Sequence, residues 1–319
     1  VRLAVAQHNR TSASTLDKLA KDENVDVRTA VVNNQHTALT TISSMSNDPQ
    51  VKVRLAIAEL SRTPKELLLK MAEDKESDVQ LAVAKNHNAD EDVFMKLTTG
   101  DLPVRQHLAS SNRVTEKVLL QLSADASGSV RLGVAKNRLS TEAVLLKLAA
   151  DTSDDIRIAV LENPNTTDKV RELVYQQPVS DQMQEKLVSD PHTPGHVLQT
   201  IAPNLKSDQL RVMVLHHQNV TTPTVEMIMG QTMAQETKLQ LASSIKTPER
   251  ALELLAEKES STHMKLVNNI KTPATALLSI AGSEGSDINA RFLSGFHANT
   301  NTEVINRLAL DQNWVLRFA

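Results

Sequence analysis

Apolar residues recur along this chain at i, i+3 and i+4, as in Val27, Ala30 and Val31, or Val130, Gly133 and Val134, with polar residues between them. That spacing places them on one face of a helix, and the small residues let the helix approach a neighbour closely. A second apolar stripe of the form L-x-x-L-A follows each time, for example Leu16, Leu19 and Ala20, or Leu145, Leu148 and Ala149. The pattern therefore predicts pairs of short helices. Asn34, Asn86, Asn137, Asn163 and Asn269 share the phase at which the first helix ends, which predicts a left-handed C-cap. Three residues later stands a hydroxyl, such as Thr37, Thr63, Ser140, Thr247 or Thr272, often followed by proline (Pro64, Pro194, Pro248, Pro273). A hydroxyl N-cap with proline at the first helical position is the expected start of the second helix. Thr63 and Glu66 have the spacing of a capping box. A polar turn around Asp22, Asp48, Asp74, Asp125 or Asp151 then leads into the next pair.

The unit is a repeat. The phrase V-R-x-A-V-A-x-N starts at Val1, Val27, Val53, Val79, Val104, Val130 and Ile156, a period of 26 with one unit of 25. Weaker copies follow near Met183, Leu210, Thr237, Thr262 and Ala290, with a truncated one near Leu316. Helices this short are not stable without neighbours, so the units must stack, and one member of each pair could be a 3₁₀ helix. The expected fold is all-α: an α-solenoid of about twelve 26-residue units forming one repeat domain over 1–319, regular over 1–175 and degenerate over 176–319. Since the first residue is Val1, the chain is expected to be a segment of a longer protein.

Composition fits thin layers of helices. Among 319 residues only Phe94, Tyr175, Phe292, Phe296, Trp314 and Phe318 are aromatic, so burial falls to aliphatic side chains. The net charge of −3 advertises no nucleic-acid partner for the chain as a whole, although a local stripe remains open. The absence of cysteine excludes disulfides, thiolate nucleophiles, cysteine-ligated zinc and iron–sulfur clusters within the chain. No apolar run is long enough to span a bilayer, and no secretion signal is visible, so no membrane association is expected.

The extended motif D-x-x-x-x-V-R-x-A-V-A-x-N-x-x-T-P-x-x-x-L-x-x-L-A resembles the leucine-rich repeat variant family of bacteria, specifically over residues 1 to about 175. The resemblance implies HEAT-like units in a right-handed superhelix of alternating α and 3₁₀ helices, and a bacterial, cytoplasmic protein. Two departures stand out: the family's unit is usually about two residues shorter, and its founding type has a cysteine-rich iron–sulfur module, for which this chain has no cysteine. HEAT-like repeats also build bacterial alkyl-purine DNA glycosylases, whose clefts need aromatic platforms and an acidic residue. The regular half offers only Phe94 and Tyr175 for that purpose.

The recurring arginine is the first candidate site. Arg28, Arg54, Arg105, Arg131, Arg157 and Arg211 could form a positive ladder for phosphate or an acidic peptide. They could equally be struts, because each follows an aspartate-bearing turn and can pair within or between units. Gln80, Gln184 and His263 interrupt the row. The four aromatics Phe292, Phe296, Trp314 and Phe318 form a possible interaction patch, or else an end cap. Met213, Met227, Met229 and Met233 read as core filling or as an adaptable surface. His192, His196, His216 and His217 read as cap or surface residues, with no metal expected.

No Gly-rich phosphate loop, HExxH helix or nucleophile elbow occurs, so no catalytic residue and no cofactor are assigned. The expected role is a non-enzymatic scaffold binding a protein or peptide on a curved surface. The alternatives are a nucleic-acid-binding or glycosylase-like protein using the arginine row, and an architectural spacer between domains. Function is expected where the phrase breaks: Gln80, the Met-rich unit and the aromatic end.

Overall fold

The computed structural model describes residues 1–313 and 315–318, without the side chain of Phe318. The fold is an all-helical repeat stack: the described residues contain 24 α-helices in twelve successive pairs and no strand. In the regular half the first helix of a pair typically has nine residues, as in Val51–Glu59, Ser77–Lys85 and Gly128–Lys136. The second typically has seven, as in Lys65–Met71 and Glu142–Leu148. Both are α-helices, so the alternating α and 3₁₀ arrangement that the resemblance implies does not hold here. Among the described residues the 3₁₀ turns are Ala202–Asn204, Ser260–Thr262 and Leu316–Phe318. A period of 26 residues gives the second element room for a full α turn count.

The chain divides into two compact units, Val1–Gln177 and Pro178–Ala319, within two residues of the place where the repeat loses its regularity. In the first unit Val53, Ile57 and Ala58 of one helix, and Leu67, Leu68 and Met71 of the next, are buried, as the helical spacing requires. Successive first helices lie close together. A Cβ added to Gly133 would stand 3.0 Å from that of Ala109, so only glycine lets these helices approach without displacement. In the second unit the same layering persists, with Leu241, Leu252, Leu255, Leu277 and Ile280 fully buried.

Two expectations about helix ends are corrected. Asn34, Asn86, Asn137 and Asn163 do stand at the C-cap, but in extended conformation, with φ −64° and ψ 135° at Asn86 and φ −71° and ψ 127° at Asn137, whereas Asn269 lies beyond the C-cap Val267. No described residue has positive φ. The Asn side chain makes a left-handed cap unnecessary: Asn86 Oδ1 accepts from the Asn88 amide at 2.9 Å while its Nδ2 reaches into the preceding unit. The recurrent hydroxyls of Thr37, Thr63, Ser140, Thr247 and Thr272, in turn, cap the end of the first helix and not the start of the second. Thr63 Oγ1 donates to the carbonyl of Ile57 at 2.6 Å, and Ser140 to that of Val134 at 2.6 Å. The N-cap after Thr63 is Pro64 itself, with no side-chain cap, so Thr63 and Glu66 form no capping box. A buried Thr hydroxyl lies nearer a helix-end carbonyl in need of a donor than the amides one turn ahead.

Candidate functional site

The arginine row is tied into the stack. Arg54 meets Asp74 of the next unit in a bidentate pair, Nε to Oδ2 at 2.6 Å and Nη2 to Oδ1 at 3.0 Å. Its Nη1 donates back to the Asp48 carbonyl at 2.8 Å. Arg28 pairs likewise with Asp48, Arg105 with Asp125 and Arg131 with Asp151, each twenty residues on. For Arg28, Arg54, Arg105 and Arg131 the carboxylate thus comes from the next unit and the backbone carbonyl from the arginine's own turn. Each aspartate also accepts the amide two residues ahead, as Asp74 does from Glu76 at 3.0 Å. Arg157 pairs within its own helix with Asp154, since Gln177 stands where the next aspartate would fall. Arg211 binds Asp208 at 2.6 Å and the Gln231 amide oxygen at 2.7 Å.

Where the row is interrupted, both partners change together. Gln80 replaces arginine and Gly100 stands at the aspartate position. The Gln80 amide keeps the bond to its own turn, Nε2 to the Asp74 carbonyl at 2.7 Å. A Cβ on Gly100 would lie 2.5 Å from Gln80 Oε1. At the equivalent place in the second unit, His263 is buried, with Nδ1 2.7 Å from Ser286 Oγ and Nε2 2.9 Å from the Ala256 carbonyl.

A second ladder joins units through the asparagines. Asn137 Nδ2 donates to the carbonyls of Ala109 at 2.8 Å and Ser111 at 2.9 Å, one unit back. Asn34, Asn86, Asn163 and Asn269 repeat the geometry. His217 and His297 substitute for asparagine, a role that sequence patterning missed. In each, Nδ1 accepts an amide two residues on at 3.1 Å, and Nε2 donates to a carbonyl of the preceding unit at 3.0 Å and 2.9 Å respectively. A third set, also missed, lies two residues later. Arg62, Asn88, Arg113, Asn165, Asn219 and Asn299 donate to carbonyls of the previous interhelical turn.

The other expected residues are placed as follows. Phe292 is half-buried and Phe296 is 63% exposed, their ring centroids 5.0 Å apart. Trp314 and the side chain of Phe318 lie outside the described residues. Met233 is buried, Met213 and Met229 half-buried, and Met227 exposed. Phe94 is buried, with the Arg113 guanidinium carbon 5.5 Å from its ring centre, and so offers no stacking platform. His192 contacts Asp190 at 3.0 Å, and His216 contacts the Thr247 hydroxyl at 3.2 Å. Among the described residues no three His, Asp or Glu side chains converge as a metal site, and no helix is long and apolar enough to cross a membrane.

What the stack leaves open is the outer face of the first helices. Leu55, Leu81, Leu132 and Ile158 are half-buried there, flanked by exposed Lys52, Asp78, Lys85 and Lys136. Depressions lie between neighbouring first helices. One of about 370 Å³ has Leu55, Leu81 and Ala82 at its floor and Glu59, Asp78 and Lys85 around it. Another, of about 430 Å³, adjoins Lys85, His107 and Arg113. In the second unit Met213 borders two more.

The ladders set the response to acid. Burial alone would raise the Asp48 and Asp151 carboxyls, but the hydrogen bonds from Arg28 and Arg131 and from backbone amides outweigh it and hold both below 3.8. Burial lowers His263 below its ordinary 6.5, opposed only by its bond to Ala256. Burial likewise lowers His216 and His107. In each case the unfolded state takes up protons first as pH falls, so the stabilisation is complete above the unfolded value and lost below it. The urea midpoint is therefore expected to decline first below pH 6.5 and again below pH 3.8, with His263→Gln shrinking the upper step. An upper step of unchanged size in that variant would refute the assignment.

Comparison with known proteins gives little beyond the architecture. No protein-family model matches the chain, and a search of curated proteins returns no match. Among solved structures, the chain is similar to a leucine-rich repeat variant with a novel repetitive structural motif, at 24% identity and a TM-score of 0.39, over 51% of this chain and 70% of that one. An engineered protein aligns over 99% of this chain and 92% of its own, at 14% identity and a TM-score of 0.19. These scores carry no functional argument, and the repeat architecture rests on the helices described above.

Proposed function

We propose that the protein is a non-enzymatic repeat scaffold that binds a protein or peptide on the exposed face of its first helices. One observation carries this reading. The recurrent arginine and asparagine side chains are consumed inside the stack, whereas the first-helix face keeps a half-buried aliphatic row between mixed charges. Stacked repeats commonly bind through such extended surfaces, where aliphatic pockets supply affinity and rim charges supply register. A nucleic-acid reading would need the arginines free to neutralise phosphates, and those of the row are engaged with carboxylates and carbonyls. The likeness to the bacterial leucine-rich repeat variants belongs to this proposal as a suggested kinship.

The test is a random-peptide display selection on the whole chain. Selected peptides are expected to lose binding when Leu55, Leu81 and Leu132 are changed to Glu, and to keep it in Lys147→Glu on a second helix. Recovery of no specific peptide, or salt-dependent displacement of the peptides by duplex DNA, would reject the scaffold reading.

A further inference from the structure

Resting on that scaffold reading, we propose that the groove across the first helices Val51–Glu59, Ser77–Lys85 and Leu102–Ser110 recognises a peptide carrying an aliphatic side chain near an acidic one. Two depressions meet there, because Lys85 and His87 line both. The first is floored by Leu55, Leu81 and Ala82 and suits one aliphatic side chain. The second is lined by Lys85, His87, His107, Ser111, Asn112 and Arg113 among others, and no carboxylate lines it.

The charge of the second pocket is what selects the occupant. Arg113 is held in place by donating to the carbonyls of Asn86, His87 and Ala89, each at 3.0 Å, with its guanidinium packed over Phe94. Those carbonyls belong to the turn that follows helix Ser77–Lys85, so the Arg113 guanidinium is committed to backbone oxygens and already supplies the cation that this turn accepts. The exposed Lys85 ammonium beside it is then surplus. Neither Lys85 nor Arg113 joins an ion pair among the described residues.

His107 stands at the phase that Ala56, Ala82, Gly133 and Ala159 occupy in other units, and is half-buried against this pocket. Burial, and then the charges of Lys85 and Arg113, keep its ring neutral at pH values where a free imidazole would protonate. An entering carboxylate would supply the absent negative charge and accept hydrogen bonds from Lys85 and the Asn112 amide. Glu59 and Asp78, beside the apolar depression, would repel it from the other end and so fix its direction.

The experiment uses peptides selected by display against the whole chain. The expected result is enrichment of sequences with an acidic residue a few positions from Leu, Ile or Val. Affinity should fall about tenfold or more in Lys85→Glu and in Leu81→Glu. The thermal midpoint of Lys85→Glu should fall only slightly, since that side chain is exposed and its replacement costs no more than an unfavourable charge at a helix end. Titration of the His107 ring by NMR should shift upward with a selected peptide bound, and not with its Glu→Gln counterpart. Peptides lacking acidic residues, or binding lost in Met213→Glu or Phe296→Ser but not in Lys85→Glu, would overturn this site while leaving the scaffold standing. Absence of any peptide binder, or displacement of the peptides by duplex DNA of about 20 base pairs in a salt-dependent manner, would overturn both.

Discussion

Asp74→Ala is expected to destabilise the first unit by about 3–5 kcal/mol, because it strands the Arg54 guanidinium in a buried site. The side chains of Arg54 and Asp74 are only 6% and 8% exposed, so water cannot replace the missing carboxylate. The double change Arg54→Gln with Asp74→Gly should cost markedly less, although it removes more atoms. Its model is the natural rung at Gln80 and Gly100, where glutamine keeps the bond to its own turn and no charge is buried. Desolvating two charges takes back most of what their attraction supplies, so an uncharged rung is tolerated where half an ion pair is not. Stacked repeats need not unfold in one step, so hydrogen exchange in helices Val51–Glu59 and Lys65–Met71 should accompany urea denaturation. The account fails if Asp74→Ala behaves like wild type, or if the double variant is the weaker of the two.

Asn137→Ala is expected to cost about 2–4 kcal/mol, since it leaves two carbonyls of the preceding unit and one amide without partners. The bonds lost are those to Ala109 and Ser111 and the one from the Leu139 amide. Asn137→His should lose only about 1 kcal/mol, the value of a single hydrogen bond. The ring can accept from the amide through Nδ1 and donate backwards through Nε2, as His217 and His297 do. Denaturation of both variants, with exchange protection of the Ser111 to Arg113 turn, checks the ranking. Equal losses for Ala and His would show that space filling, and not the ladder, sets the requirement.

These rungs explain why so much of the molecule was legible in advance and why the site was not. The 26-residue period, the paired helices and the buried Val, Leu and Ala positions follow from spacing along a single helix. The recurrence of arginine after an aspartate turn narrowed its role to ligand or strut, but spacing could not say which aspartate it meets. The positions of Asn34 and Thr63 at helix ends are legible but their bonding is not, because the phase of Asn34 suits both a C-cap and an interunit bridge, and Thr63 can serve either the end of one helix or the start of the next. His107 carries a readable signal, a bulky residue in a phase that Ala or Gly holds elsewhere in the regular half.

The sequence by itself determined the unit, its length, its two helices and the faces they bury, since all of these depend on neighbours within a turn or two. Only the tertiary structure decided that Arg54 reaches forward to Asp74 while Asn86 reaches back to Ala58, and that Gln80 and Gly100 are one compensated change. It also brought Leu81, Lys85, His107 and Arg113 around one groove. The physical reason is that a periodic sequence places equivalent groups in every layer. Direction across the stack, and therefore the partner of each polar side chain, is fixed only when the layers pack.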